Sequence, residues 1–283
     1  MALITAALLA GLRTEVRRQF QDAFDTMAAT TFYRDVAMIA PSTTASNTYD
    51  WLGDFPELRE WVGDRVIKDM KENAYQITNK IYEGTVGIAR TAIEDDTVGT
   101  LAPRIRNMGQ SAARHPDRLI ASLITAGGAS LCYDGQYFFD TDHPVYANHD
   151  GTGAAATVAN IQPGAGTGPA WYLLDATSEM KPFIFQERTK PEFDLMEAAK
   201  DAEAVFMKDQ YLYGIRYRCN AGYGFWQKAY KSTQTLNAAN FDAAFAAMSS
   251  IKGDGGRPLG ITPSLLVVPP SLRWTASPTR APS

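Results

Sequence analysis

Asp140, Asp142, His143, His149 and Asp150 are the densest set of side chains able to hold an ion or move a proton. Carboxylates suit hard cations, and imidazole beside carboxylate suits transition metals. A metal-dependent hydrolase at Asp140, Asp142, His143 and His149 is therefore one reading. The spacing fits no established ligand motif, since no HExxH, HxH or EF-hand loop occurs. Turn chemistry explains the same residues, because Asp and His-Pro end strands and bond to nearby amides. That plainer reading is preferred. Gly164, Gly166 and Gly168 imitate part of a dinucleotide loop, but Pro163 and Pro169 flank them and no strand leads in. The serines lack a nucleophile elbow. Cys132 lies between Leu131 and Tyr133 and reads as a small packed hydrophobe. Cys132 and Cys219 form no metal or redox spacing and point to a reducing compartment. No catalytic, cofactor-binding or metal residue is assigned, no cofactor is expected, and the chain reads as a non-enzyme.

The elements that would position any site centre on residues 97–126. Val98, Leu101, Ile105, Met108 and Ala112 recur at helical spacing, with Arg104, Arg106 and Gln110 on the other face. Glu94, Asp95 and Asp96 precede it, where carboxylates favour the positive end of a helix. Pro116 interrupts the pattern, which resumes through Leu119, Ile120, Leu123 and Ile124 until Gly127-Gly128. This predicts a long helix broken near His115-Pro116.

Ahead of it, residues 1–35 read as one amphipathic helix through Leu8, Leu12, Val16, Phe20 and Phe24. No basic residue precedes the apolar start, so an N-terminal arm is preferred to a signal peptide. Residues 40–50 have few hydrophobic side chains and read as an extended linker ordered by a neighbour. Residues 51–65 carry Trp51, Phe55 and Trp61, with Pro56 suited to open a short helix. Core packing and anchoring on a neighbouring subunit explain these aromatics equally well. Residues 74–78 and 81–91 read as two strands of a hairpin turning at Asn79-Lys80. So little apolar content cannot hold a lone hairpin. Another copy of the chain is the expected support, with Tyr75, Ile77, Ile81, Tyr82, Val86 and Ile88 as contact candidates beside Trp51, Phe55 and Trp61. Deleting residues 66–90 is then expected to leave a folded monomer.

After the glycines, Asp134-Gly135 signals a tight turn between aromatic strands. Residues 147–169 read as a surface loop, 171–176 as a strand or helix start, 183–188 as a strand and 192–206 as a helix. Residues 211–230 read as β, 240–251 as a helix and 265–268 as a buried strand ended by Pro269-Pro270.

The chain has 283 residues, 45% hydrophobic and 20% charged, which suits a folded protein with room for two domains. Lys and Arg total 27 against 31 Asp and Glu, a formal charge of -4, so nothing resembles the basic footprint of a nucleic-acid binder. No apolar run reaches the ~18 residues that would cross a bilayer.

Seven segments carry a resemblance. They are residues 51–65, Ile93-Glu-Asp-Asp96, 112–117, 131–144, Tyr211-Leu-Tyr-Gly214, 220–227 and Leu265-Leu-Val-Val-Pro-Pro270. Together, and in order, they closely resemble the Mu-like phage and prophage major head subunit family, gpT, over residues from about 1 to 272. The resemblance implies an α+β chain with the Hong Kong 97-like tailed-phage capsid fold. It implies an N-terminal arm at 1–47, an extended hairpin loop at 48–91 and a peripheral domain with a spine helix at 92–130. An axial domain at 131–262 and a return strand with tail at 263–283 complete the division. It implies a major capsid protein that assembles with itself, as hexamers and pentamers, into a shell around double-stranded DNA. Scaffold or protease, portal and decoration proteins are the implied partners, with no membrane. The implied location is the virion, and the bacterial host cytoplasm during assembly. A smaller decoration or tail module is the alternative from the same setting. Past Pro270 the resemblance leads one to expect a further helix and strand, where residues 273–283 are polar and proline-punctuated.

Overall fold

Strands far apart in sequence build the largest sheet of the computed structural model, which describes residues 6–52, 75–89, 91, 98–164, 166–196 and 210–276. Its centre is a long antiparallel pair, β8 (Phe183–Met196) with β9 (Gln210–Tyr223). β1 (Ala37–Pro41) runs parallel to β8 on one side, and β4 (Lys80–Ala89) runs antiparallel to β9 on the other. A second sheet places β7 (Trp171–Leu174) between β10 (Ala229–Ser232) and β11 (Leu265–Val267). Two short ribbons complete the strands: β2 (Ser46–Tyr49) with β3 (Tyr75–Thr78), and β5 (His143–Tyr146) with β6 (Ala155–Val158).

The helices are α1 (Ala6–Ala28), α2 (Tyr33–Val36), α3 (Val98–Ala113), α4 (His115–Ala126), α5 (Ala238–Ser249) and α6 (Arg273–Ala276). The expected break separates α3 from α4, with Pro116 in the first turn of α4, where its missing N–H costs no helical bond. α1 packs along α3, whose Ile105, Met108 and Ala112 are buried.

Apolar burial divides in two. The larger cluster joins β7, the inner ends of β8 and β9, α4 and α5. The smaller joins Val16 and Phe20 of α1, Ile105, Met108 and Ala112 of α3, Ile88 of β4, and Tyr211 and Tyr213 of β9. Several irregularities lie at one level between them. β8 slips register between Glu187 and Glu192, opposite Arg216–Cys219 of β9 and, one strand further, Lys80–Glu83 of β4. At that level His115, the first residue after the helix break, packs edge-on against Tyr82 at 4.1 Å and Tyr217 at 5.8 Å.

Several expectations fail here. The first helix ends at Ala28, not near residue 35, and 37–41 is already strand. Residues 74–78 and 81–91 do not pair with each other: β3 pairs with β2, and β4 pairs with β9. At the expected turn, Asn79 alone separates β3 from β4. Residues 40–50 are ordered by their own chain, through β1 and β2. Buried Gln186 stitches these pieces together. Its Nε2 donates to the Ile77 carbonyl at 3.1 Å and to Asn79 Oδ1 at 2.8 Å, and its Oε1 accepts from Tyr49 Oη at 2.8 Å. Backbone ladders and polar side chains therefore supply the order that hydrophobic content did not suggest. Deleting 66–90 removes both β3 and β4, so it cannot be expected to spare the monomer. Residues 192–196 are strand, and 197–206 lie outside the described residues. The loop expected at 147–169 contains β6.

Candidate functional site

The five residues with ligand chemistry do not converge. Asp140 accepts from the Tyr137 and Thr141 amides at 3.2 and 2.7 Å. Asp142 is exposed and shares a hydrogen bond with Asp140, which together with that neighbour's charge lifts its pKa. Asp150 accepts from the Thr152 amide and hydroxyl, as an Asx turn requires. His149 lies against Gly255, which has φ +75° and where a Cβ would come within 2.5 Å of the imidazole.

His143 is fully buried, stacked on Trp226 at 3.9 Å, with Nδ1 2.7 Å from Asp134 Oδ2. Cys132 Sγ donates to Asp134 Oδ1 at 3.0 Å. Burial raises the Asp134 pKa, but the bonds from His143 and Cys132 outweigh it, and the carboxyl ends below its ordinary value. Burial, then the Asp134 charge, pushes the Cys132 thiol up, so thiolate is disfavoured. Among the described residues, Cys132, Asp134 and His143 are the group with ligand atoms close enough for an ion, all within 4.8 Å. Their 2.7 and 3.0 Å separations are hydrogen-bond lengths. Ligands around zinc stand about 3.3 Å or more apart, from ~2.0 Å bonds at tetrahedral angles. The trio locks the turn at Asp134-Gly135, where Gly135 takes φ +85°. Sequence reasoning found the turn and His143 but missed Asp134 as its partner, because the two are joined only by folding.

The self-contact candidates separate by exposure. Ile77 and Ile88 are buried in the chain's own clusters. Tyr75 Oη accepts from the Tyr223 amide at 2.9 Å, and burial raises its pKa to about 12. Tyr82 and Val86 are half-buried against the same chain. Within the single chain these five residues, on β3 and β4, already pack against its own clusters, so their strands do not depend on another copy for support. Ile81 is 61% exposed and Trp51 38%, the latter beside Tyr49 and Phe225. Phe55 and Trp61 lie outside the described residues. Leu131, Tyr137 and Trp274 are exposed and were not singled out by sequence.

Large exposed apolar side chains at Trp51, Ile81, Leu131, Tyr137 and Trp274 suit a protein that works by contact. Comparison with known proteins gives the same answer. The model of the Mu-like prophage major head subunit gpT family matches residues 9–279. The major capsid protein of Escherichia phage Mu is 45% identical over 97% of this chain and 89% of its own length. The Mu-like prophage FluMu major head subunit of Haemophilus influenzae is 44% identical over 98% of this chain and 90% of its own. A chain from the procapsid of bacteriophage JBD30 superposes with TM-score 0.86 and 57% identity, covering 96% of this chain and 90% of that one. One from the JBD30 capsid gives TM-score 0.71 and 42% identity, covering 97% and 90%. The chain belongs to the Mu-like prophage major head subunit gpT family, and is a structural major capsid protein rather than an enzyme.

Proposed function

We propose that many copies of this chain close into an icosahedral shell, built of hexamers and pentamers, around phage double-stranded DNA. The observation that carries this reading is the 0.86 TM-score to a procapsid chain over 96% of the sequence. The Hong Kong 97-like division belongs to the same proposal, with an arm at 1–47, the extended loop at 48–91, whose β3 and β4 pair with β2 and β9 rather than as a hairpin, a spine-helix region at 92–130, an axial domain at 131–262 and a return strand with tail at 263–283. The α3–α4 pair supports the spine assignment. Assembly takes place in the host cytoplasm, with scaffold or protease, portal and decoration proteins as partners. Coverage of 89% and 90% of the head-subunit relatives favours this over a smaller decoration or tail module.

Shared contacts repeated over many copies give a stable shell from individually weak patches. Among the described candidates, Trp51 and Ile81 are the exposed ones that can make them. The full chain, expressed alone and with the phage assembly proteins, is expected to give regular closed particles in negative-stain micrographs. Ile81→Ser is expected to leave monomer stability within about 0.5 kcal/mol, as at exposed sites generally, and to lower particle yield. Only open sheets, tubes or soluble monomer under both conditions would defeat the shell reading.

A further inference from the structure

The outward side of the spine helices stands apart by charge. From residue 104 to 126, α3 and α4 carry Arg104, Arg106, Arg114 and Arg118 and a single acid, Asp117, in a chain of net charge -4. All four arginines are exposed, and the other exposed positions of this run, Asn107, Ala121, Ser122, Thr125 and Ala126, are neutral. Asp117 feels the Arg114 charge but forms no ion pair within 4.0 Å with any of the four among the described residues. Its Oδ1 accepts from the Phe32 and Tyr33 amides at 3.1 and 2.9 Å. Arg114 Nε reaches only Met27 Sδ, at 3.1 Å. Among the described residues none of the four forms an ion pair, whereas Arg18 and Arg216 each do. Arg114 and Arg118 are like charges four residues apart, an arrangement that costs an isolated helix about 0.2–0.5 kcal/mol. The opposite side is fixed inward by Ile105, Met108, Ala112, Ile120 and Ile124, all buried. The arginine row is broad: Arg104 and Arg106 lie about 160° apart around α3, Arg106 near enough to Glu15 of α1 to lower its pKa, and Arg114 and Arg118 lie between them on the side away from the core. Every member is Arg rather than Lys, and the guanidinium fork matches phosphate oxygens in pairs.

We propose that this row contacts the phosphates of the enclosed duplex DNA, holding its backbone without reading sequence. The inference rests on the shell reading above and adds the surface that meets the cargo. The row spans about 21 Å at 1.5 Å per residue. A duplex presents about 12 charges over that length, of which four arginines neutralise at most four. The contact is weak for one subunit and accumulates over the wall.

The test measures binding of the full-length chain to a short random-sequence duplex by fluorescence anisotropy, between about 50 and 200 mM salt. A slope of log K against log salt near -3.6 is expected, falling by about 0.9 for each arginine changed to glutamine. Replacing all four by lysine is expected to keep most of the slope. Micrographs of the same preparations report shells independently. Shells that form normally while the slope ignores the glutamine changes overturn this inference and leave the shell reading intact. Absence of duplex binding by the wild-type chain, or loss of the slope in the lysine variant, also overturns it. Poly-glutamate binding as tightly as the duplex would assign the row to an acidic protein segment instead.

Discussion

Gly109→Ala sets local propensity against tertiary packing. In a helix interior alanine is favoured over glycine by about 1 kcal/mol, so sequence alone predicts a more stable α3. The structure predicts the reverse. A Cβ on Gly109 would lie 2.5 Å from the Phe20 carbonyl oxygen, 3.2 Å from the Phe24 amide nitrogen and 3.4 Å from Ala23 Cβ. Two of those atoms are backbone and cannot rotate away, so α1 must lift from α3. Overpacking of that kind costs about 3 kcal/mol at the upper end of its range, and subtracting about 1 for propensity leaves a net loss near 2. Hydrogen exchange of the α1 amides reads that loss as an approximately 30-fold fall in protection. Gly11→Ala on α1 is the control, because nothing lies within 4 Å of its Cβ. It is expected to raise α1 protection through propensity alone. If Gly109→Ala also raised protection, the close approach of α1 to α3 would not be what holds the arm in place.

Asp117→Ala strips the acceptor from the Phe32 and Tyr33 amides and is expected to cost about 1–3 kcal/mol in urea unfolding; an unchanged midpoint would show that water replaces it freely. Lys228→Met leaves Asp175, only 2% exposed, without its 3.1 Å ammonium partner, and is expected to cost about 3–5 kcal/mol. Adding Asp175→Asn should restore much of this in thermal melts, and a strictly additive double variant would contradict the pairing. The Asp134 pKa lies below its unfolded value near 3.8, so its stabilising effect is complete above that value and is lost as pH falls through the lower folded one. Asp134→Asn should therefore be less stable than wild type at neutral pH, with the difference shrinking on the acid side of 3.8; a gap that stays constant across that range would refute the linkage.

The break at His115-Pro116 was legible because proline's missing N–H and fixed φ act locally. So was the turn at Asp134-Gly135, where glycine takes a backbone that other residues avoid. The partners of β4 were not legible. Its alternating pattern gave a strand, but the same pattern suits pairing with β3, with β9 or with another molecule. The expectation that the strands at 74–78 and 81–91 rest on another copy came from their low hydrophobic content. The chain supports them itself: β4 by its ladder to β9, β3 by its ladder to β2 and by Gln186, which composition cannot reveal. The capsid assignment stands on family membership, not on that argument.

The sequence by itself determined which family the chain belongs to, where its long helix divides into α3 and α4, and that no familiar reactive motif is present, since each depends on residues near one another in the chain. Tertiary structure alone decided which apolar side chains remain exposed, which carboxylate holds His143, and that four exposed arginines of α3 and α4 form no ion pair among the described residues. Those outcomes depend on strands and helices separated by tens of residues, whose pairing is set by long-range burial and hydrogen bonding.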